Sequence, residues 1–90
     1  MKIVKDAVAG TLESNDVLVS VSPGNGRVEV EVESIVLEQF GEAIRQAALE
    51  AAKDAGVQDA RIALNDRGAL DCTIRARVET ALRRAGEAMQ

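Results

Sequence analysis

Residues 7–21 read AVAGTLESNDVLVSV, two apolar runs around one polar knot, Thr11-Leu12-Glu13-Ser14-Asn15-Asp16. In the second run Val17, Val19 and Val21 face one way and Leu18, Ser20 and Ser22 the other, the period of two that marks a strand. The first run, Ala7 to Leu12, reads as a shorter strand, with Gly10 allowing a bend or a close backbone approach. Ser, Asn and Asp form turns because their short side chains bond nearby backbone, and Asn tolerates left-handed backbone angles. Glu13 to Asp16 is therefore the tip of a hairpin or a tight bend, with Ser14 projecting from the surface between acids.

Outward from this hairpin the pattern repeats. Ser22-Pro23-Gly24-Asn25-Gly26 is a turn by composition. Gly24 and Gly26 suggest a phosphate cradle, but no lysine and no helix follow them as such loops require. In Arg27 to Glu33, Val28, Val30 and Val32 alternate with Glu29, Glu31 and Glu33, as in a sheet covered on one side only. The glutamate row reads either as a solvated, edge-protecting face or as a docking stripe for a basic partner. Val57 to Leu64 is a further strand, with Ala60, Ile62 and Leu64 on one face.

Two helices complete the chain. One is expected from about Ile35 to Ala55, capped by Ser34, with Val36, Phe40, Ala43, Ile44, Ala47, Ala48, Ala51 and Ala52 forming its buried stripe and Gly56 its left-handed stop. The other is expected over about Ala69 to Arg84, capped by Asp66, burying Leu70, Ile74, Val78, Ala81, Leu82 and Ala85. Its opposite side carries Arg75, Arg77, Arg83 and Arg84, either a solvated face or a contact for an anionic partner or the phosphates of a bound prosthetic arm. Cys72, off the centre of the stripe, reads as a partly buried structural cysteine. Met1 to Asp6 is expected to be an extended lead-in and Gly86 to Gln90 a frayed tail. The order strand, strand, strand, helix, strand, helix predicts an α+β fold: a small two-layer sandwich with an antiparallel or mixed four-stranded sheet and two helices packed on one face. If the strands flanking the long helix are parallel neighbours, it makes a right-handed crossover.

Composition narrows the function. Ninety residues make one domain, and 47% hydrophobic with 29% charged residues makes it globular rather than disordered. Its core must be aliphatic, because Phe40 is the only aromatic residue. A net charge of −4 without Tyr or Trp argues against nucleic acid. No apolar stretch approaches the roughly 20 residues of a membrane helix, and MKIVKDAVAG lacks a signal's apolar core, so a cytoplasmic protein is expected. With no histidine and one cysteine there is no Ser-His-Asp triad, no Cys-His pair and no zinc site of histidines or four thiolates. No catalytic residue and no metal site is expected.

The stretch AVAGTLESNDV resembles the amino-terminal motif of the citrate lyase acyl carrier proteins, the gamma subunits of citrate lyase. QFGEAIR (39–45) and DRGALDCTIRARVETAL (66–82) support the resemblance in the right order, so that it covers most of the chain. It implies one acyl carrier domain over residues 1–90, distinct from the four-helix bundle of fatty-acid carriers. It implies that Ser14 is the attachment serine, joined through a phosphodiester to 2'-(5''-phosphoribosyl)-3'-dephospho-CoA by a prosthetic-group transferase. The chain would then be a non-catalytic member of a hetero-oligomer. The alpha subunit exchanges acetyl for citryl on the arm's thiol, and the beta subunit cleaves the citryl thioester to oxaloacetate, restoring the acetyl form. Tethering turns these encounters into intramolecular steps. The carrier subunit of malonate decarboxylase, with the same type of group, is the nearest alternative. From another class, the chain reads as a small α+β interaction or ligand-sensing module pairing through Val28, Val30 and Val32 or the arginine face.

Overall fold

The computed structural model describes residues 1–87. Its elements are β1 (Lys2–Ile3), β2 (Ala7–Gly10), β3 (Val17–Ser22), β4 (Val28–Ser34), α1 (Leu37–Asp54), β5 (Ala60–Asp66), α2 (Asp71–Ala85) and β6 (Gly86–Glu87). Four strands form one mixed sheet in the order β2-β3-β5-β4. β2 and β3 are an antiparallel hairpin, β3 pairs antiparallel with β5, and β4 runs parallel to β5. α1 joins these two parallel neighbours as a βαβ crossover.

Register explains the alternating valines. Val19 stands opposite Leu64, and Leu64 opposite Val32; Val21 and Val30 both stand opposite Ile62. Because side chains alternate across a strand, this places one apolar row per strand on the same face. Val17, Val19, Val21, Val30, Ala60, Ile62 and Leu64 are all buried there, against Ile44, Ile74, Val78 and Leu82 of the helices. Fully burying each Val, Ile or Leu contributes about 1.5–3 kcal/mol. Ala47, Ala48, Ala51 and Ala52 are the buried residues of the C-terminal half of α1; their small side chains let the helix lie close on its neighbours. The expected α+β sandwich with both helices on one face of a mixed sheet is what forms. Val28 and Val32 pack against the core, so the valine row is no surface for pairing with another chain. The Ser20, Glu31, Ala63 row faces the other way, on the open face.

Several boundaries differ from expectation. α1 begins at Leu37, and Val36, not Ser34, is its N-terminal cap residue. Ser34 ends β4, and its hydroxyl accepts from the Val36 amide (3.1 Å) while donating to Asp66 Oδ2 (2.8 Å). Asp66 does not cap α2 either; it is the last residue of β5, and Leu70 precedes the helix. Phe40 and Leu70, expected in buried stripes, are exposed: Phe40 lies in the first turn of α1 and Leu70 just before α2, both beyond the strand ends at Ser34 and Asp66. Cys72 is likewise exposed. The lead-in is not free: Lys2 and Ile3 pair with Glu87 and Gly86, and Ile3 is buried. Two residues a side are too few to show a period. Of the expected frayed tail, Gly86 and Glu87 are therefore strand, and 88–90 lie outside the described residues.

Candidate functional site

The strand ends gather one set of loops at one pole of the molecule. Val17 stands opposite Asp66, and Asp66 opposite Ser34. The β2–β3 loop (11–16), the β4–α1 turn (35–36) and the β5–α2 loop (67–70) therefore share that pole, with the N-terminal turns of both helices. Ser14 lies at the tip of the first loop and is exposed.

The loop's own residues hold it. The Asp16 amide donates to the Glu13 carbonyl at 3.1 Å, closing a turn with Ser14 and Asn15 at its centre. Asn15 has φ +65°, the left-handed angle that the third residue of a type II turn needs. The Thr11 hydroxyl donates to Asp16 Oδ2 (2.7 Å) and accepts from the Glu13 amide (3.2 Å), and the Val17 amide donates to Asp16 Oδ1 (2.7 Å). Gly10 enters the loop with φ +92°, and a Cβ there would stand 1.8 Å from the Val17 carbonyl oxygen; only glycine lets the two strands close at this point.

The rest of the fold then clamps the loop from both sides. The Asn15 amide donates to the Arg67 carbonyl (2.8 Å) and the Arg67 amide to the Asp16 carbonyl (2.9 Å). From α2, Arg77 donates through Nε to Asp16 Oδ1 (3.1 Å) and through Nη2 to Oδ2 (3.0 Å), a two-pronged geometry that fixes orientation as well as charge. Ser14 is left out of this network: its hydroxyl has no hydrogen-bond partner among the described residues. The arrangement presents one unshared hydroxyl on a clamped turn.

The Thr11 hydroxyl, the Val17 amide and then Arg77 hold the Asp16 carboxyl at about 2, below its ordinary 3.8. A folded-state value below the unfolded one stabilises the fold at pH above about 3.8, and that contribution is lost as pH falls toward 2. The clamp is therefore intact at neutral and mildly acid pH. Following the Asp16 carboxyl carbon by NMR should give a midpoint near 2, rising toward 3.8 in Thr11→Ala and Arg77→Ala. A midpoint near 3.8 in the unaltered protein would show that the clamp does not form.

The four arginines of α2 do not form a shared anion-binding face. Arg75 bonds Asp71 and Glu50, Arg77 bonds Asp16, Arg83 pairs with Glu79, and Arg84 donates to the Val8 carbonyl at 2.8 Å. The tie between Arg77 and Asp16, 61 residues apart, has no local signal in the sequence. The Gly26 amide donates to Asp59 at 3.1 Å, so a carboxylate already occupies the glycine turn that Gly24 and Gly26 suggest as a phosphate cradle. Among the described residues no cluster of acids or thiols is arranged to hold a metal ion, and no helix is long and apolar enough to cross a membrane.

Comparison with known proteins adds a second line of observation. The family described as malonate decarboxylase delta subunit (MdcD) matches residues 4–85. The citrate lyase acyl carrier protein of Pectobacterium atrosepticum is 49% identical over 90 residues, spanning all of this chain and 94% of its own. That of Pectobacterium carotovorum is also 49% identical over the same shares of both chains. That of Escherichia fergusonii is 48% identical over 88 residues, 97% of this chain and 91% of its own.

Proposed function

Because the chain belongs to the acyl carrier family of the citrate lyase acyl carrier proteins and the malonate decarboxylase delta subunit, we propose that it is the acyl carrier subunit of a citrate lyase, with Ser14 as its attachment residue. The observation that carries this reading is Ser14 itself, an exposed, unshared hydroxyl on a clamped turn, in the motif where the family resemblance puts the modified serine. A carrier hydroxyl needs access by a transferase and no activating base, and Ser14 is exposed.

The surroundings of Ser14 fit a 2'-(5''-phosphoribosyl)-3'-dephospho-CoA group joined through a phosphodiester. The turn tip is open, and Arg77 already offsets the charge of Asp16, so an added phosphate meets one fewer bare carboxylate. When bound, the group supplies a thiol that carries the acyl unit between the acyl-transferase and lyase subunits as citrate is split to acetate and oxaloacetate. The protein's part is positional. Asp16, Thr11 and Arg77 hold the turn, and Ser14 anchors the arm.

The test is an intact mass of the protein isolated from its native host growing on citrate, with fragmentation to locate any addition. An increment of the size of the phosphoribosyl-dephospho-CoA group on Ser14 is expected; an unmodified chain from such cells overturns the reading. The description of the matching family favours malonate decarboxylase as the second reading. Acyl exchange assayed with each enzyme's partner subunits separates the two.

A further inference from the structure

The Ser14 loop is built against Arg67, and the side chain of Arg67 has no partner. The Asn15 amide donates to the Arg67 carbonyl and the Arg67 amide to the Asp16 carbonyl, one step beyond the ladder pair of Val17 and Asp66. Two residues thus stand against one, a β-bulge, with Asn15 left-handed at φ +65° in the place that glycine usually takes. Ser14 directly precedes the bulge. On the other strand Arg67 follows the buried Asp66, whose carboxylate accepts from the Gly68 and Ala69 amides and fixes the turn around it. The backbone of Arg67 is therefore committed to holding the loop. Its side chain is exposed and makes no hydrogen bond or ion pair among the described residues.

The charges around Ser14 single out that guanidinium. The carboxylates at this pole are Glu13, Asp16, Glu33, Glu38, Asp66 and Asp71. Asp16 and Asp71 are paired with Arg77 and Arg75, and Asp66 is enclosed by its own donors. Glu13, Glu33 and Glu38 are exposed and have no ion pair among the described residues. A phosphodiester on Ser14 adds one more negative charge, directly beside Glu13. Of the chain's eleven lysines and arginines, only Arg67, Arg75 and Arg77 lie on the loops and first helical turns gathered here; the others stand farther along the elements or at their opposite ends. Arg75 and Arg77 already serve carboxylates, which leaves Arg67. Paired residues of an antiparallel ladder have Cα atoms about 5 Å apart, and Ser14 is one further Cα step of about 3.8 Å from Asn15. That span is within the combined reach of an arginine side chain and a phosphate on serine.

Resting on the carrier reading above, we propose that Arg67 binds the phosphodiester that joins the arm to Ser14, its guanidinium fork donating to the two non-bridging oxygens. A planar fork holds such a group at two points, which a lysine cannot do. The contact offsets the charge added next to Glu13 and sets the direction in which the arm leaves the turn.

The experiment compares the full chain, before and after the transferase has loaded Ser14 with the phosphoribosyl-dephospho-CoA group, in its unaltered, Arg67→Gln and Arg61→Gln forms. Arg61 is exposed near the start of β5, at the far end of the sheet, so its variant removes the same charge away from Ser14. Arg67→Gln should fold as the unaltered chain does, because only the backbone of Arg67 holds the loop. Loading the unaltered chain should shift the Arg67 Nε–H proton resonance downfield and slow its exchange with water. The phosphorus resonance of the diester should move in Arg67→Gln and stay in place in Arg61→Gln. Loading should lower the Tm of Arg67→Gln by roughly 2–5 °C relative to its effect on the other two forms, and the difference should shrink in about 1 M salt, where exposed charges are screened. A loaded, unaltered chain whose Arg67 Nε–H resonance has not moved overturns the proposal, whether or not the variant can be loaded. So does a phosphorus resonance that is the same with and without the arginine. Slower loading of Arg67→Gln with the resonance unmoved would overturn it in favour of a contact between Arg67 and the transferase. Failure of the carrier reading is a different result, in which the transferase leaves Ser14 of the unaltered chain unmodified.

Discussion

Ser14→Ala should abolish loading of the prosthetic group and, with it, citrate cleavage by the reconstituted complex, while leaving the fold unchanged. The hydroxyl makes no hydrogen bond among the described residues, and exposed substitutions of this kind change stability by no more than about 0.5 kcal/mol. The loss of activity should be complete rather than graded, since Asn15, the other residue at the centre of the clamped turn, has no hydroxyl to take its place. Thermal unfolding and an intact mass after incubation with the transferase and the group's precursor check both halves. A folded Ser14→Ala chain that still supports citrate cleavage would remove Ser14 from the mechanism.

The second large effect belongs to Asp66, the only charged side chain fully buried among the described residues. Its Oδ2 accepts from the Ser34 hydroxyl at 2.8 Å and the Gly68 amide at 3.2 Å, and its Oδ1 from the Ala69 amide at 2.9 Å. Asp66→Ala strands three donors in half-buried surroundings, at about 1–3 kcal/mol for each donor that water fails to reach. A net destabilisation of about 3 kcal/mol is expected, and for a domain of this size each kcal/mol lowers Tm by roughly 4–8 °C. Asp66→Asn should recover part of it, because one oxygen remains an acceptor while the new amide opposes the Gly68 N–H. Urea unfolding of the three proteins measures this. A difference below about 1 kcal/mol between Asp66→Ala and the unaltered chain would mean that water takes over the three donors. Loading of Ser14 should also slow in Asp66→Ala, since Asp66 ties the β4–α1 turn to the loop whose Arg67 carbonyl and amide hold Asn15 and Asp16.

The sheet was legible because its strands carry aliphatic residues at a strict period of two, and the inward rows 17, 19, 21 and 60, 62, 64 are the rows the alternation picks out. The hairpin with Ser14 at its tip was legible for a different reason, the turn chemistry of Ser14, Asn15 and Asp16. Helix starts were not. Ser34 and Asp66 have the side chains that cap helices, but they bond to one another across neighbouring strands, a tertiary contact that overrides the local preference. Phe40 and Leu70 fit the helical period yet face outward, because periodicity reports which side of a helix is apolar and not how far the sheet beneath it extends. The Arg77–Asp16 clamp is longer in range still. It depends on where α2 crosses the hairpin, which no local pattern records.

The clamping of residues 11–16 has a consequence for any assembly this chain serves. On the carrier reading, a loop held by Arg67 on one side and Arg77 on the other lends no slack to an arm at its tip, so the working radius is the length of that arm alone. Two reaction centres reached from a single seated position must then both lie within one sphere of that radius about Ser14. Centres farther apart can be served only if the whole carrier pivots or changes seats between them, and the turnover of the complex would then be timed by the movement of a protein rather than the swing of a cofactor.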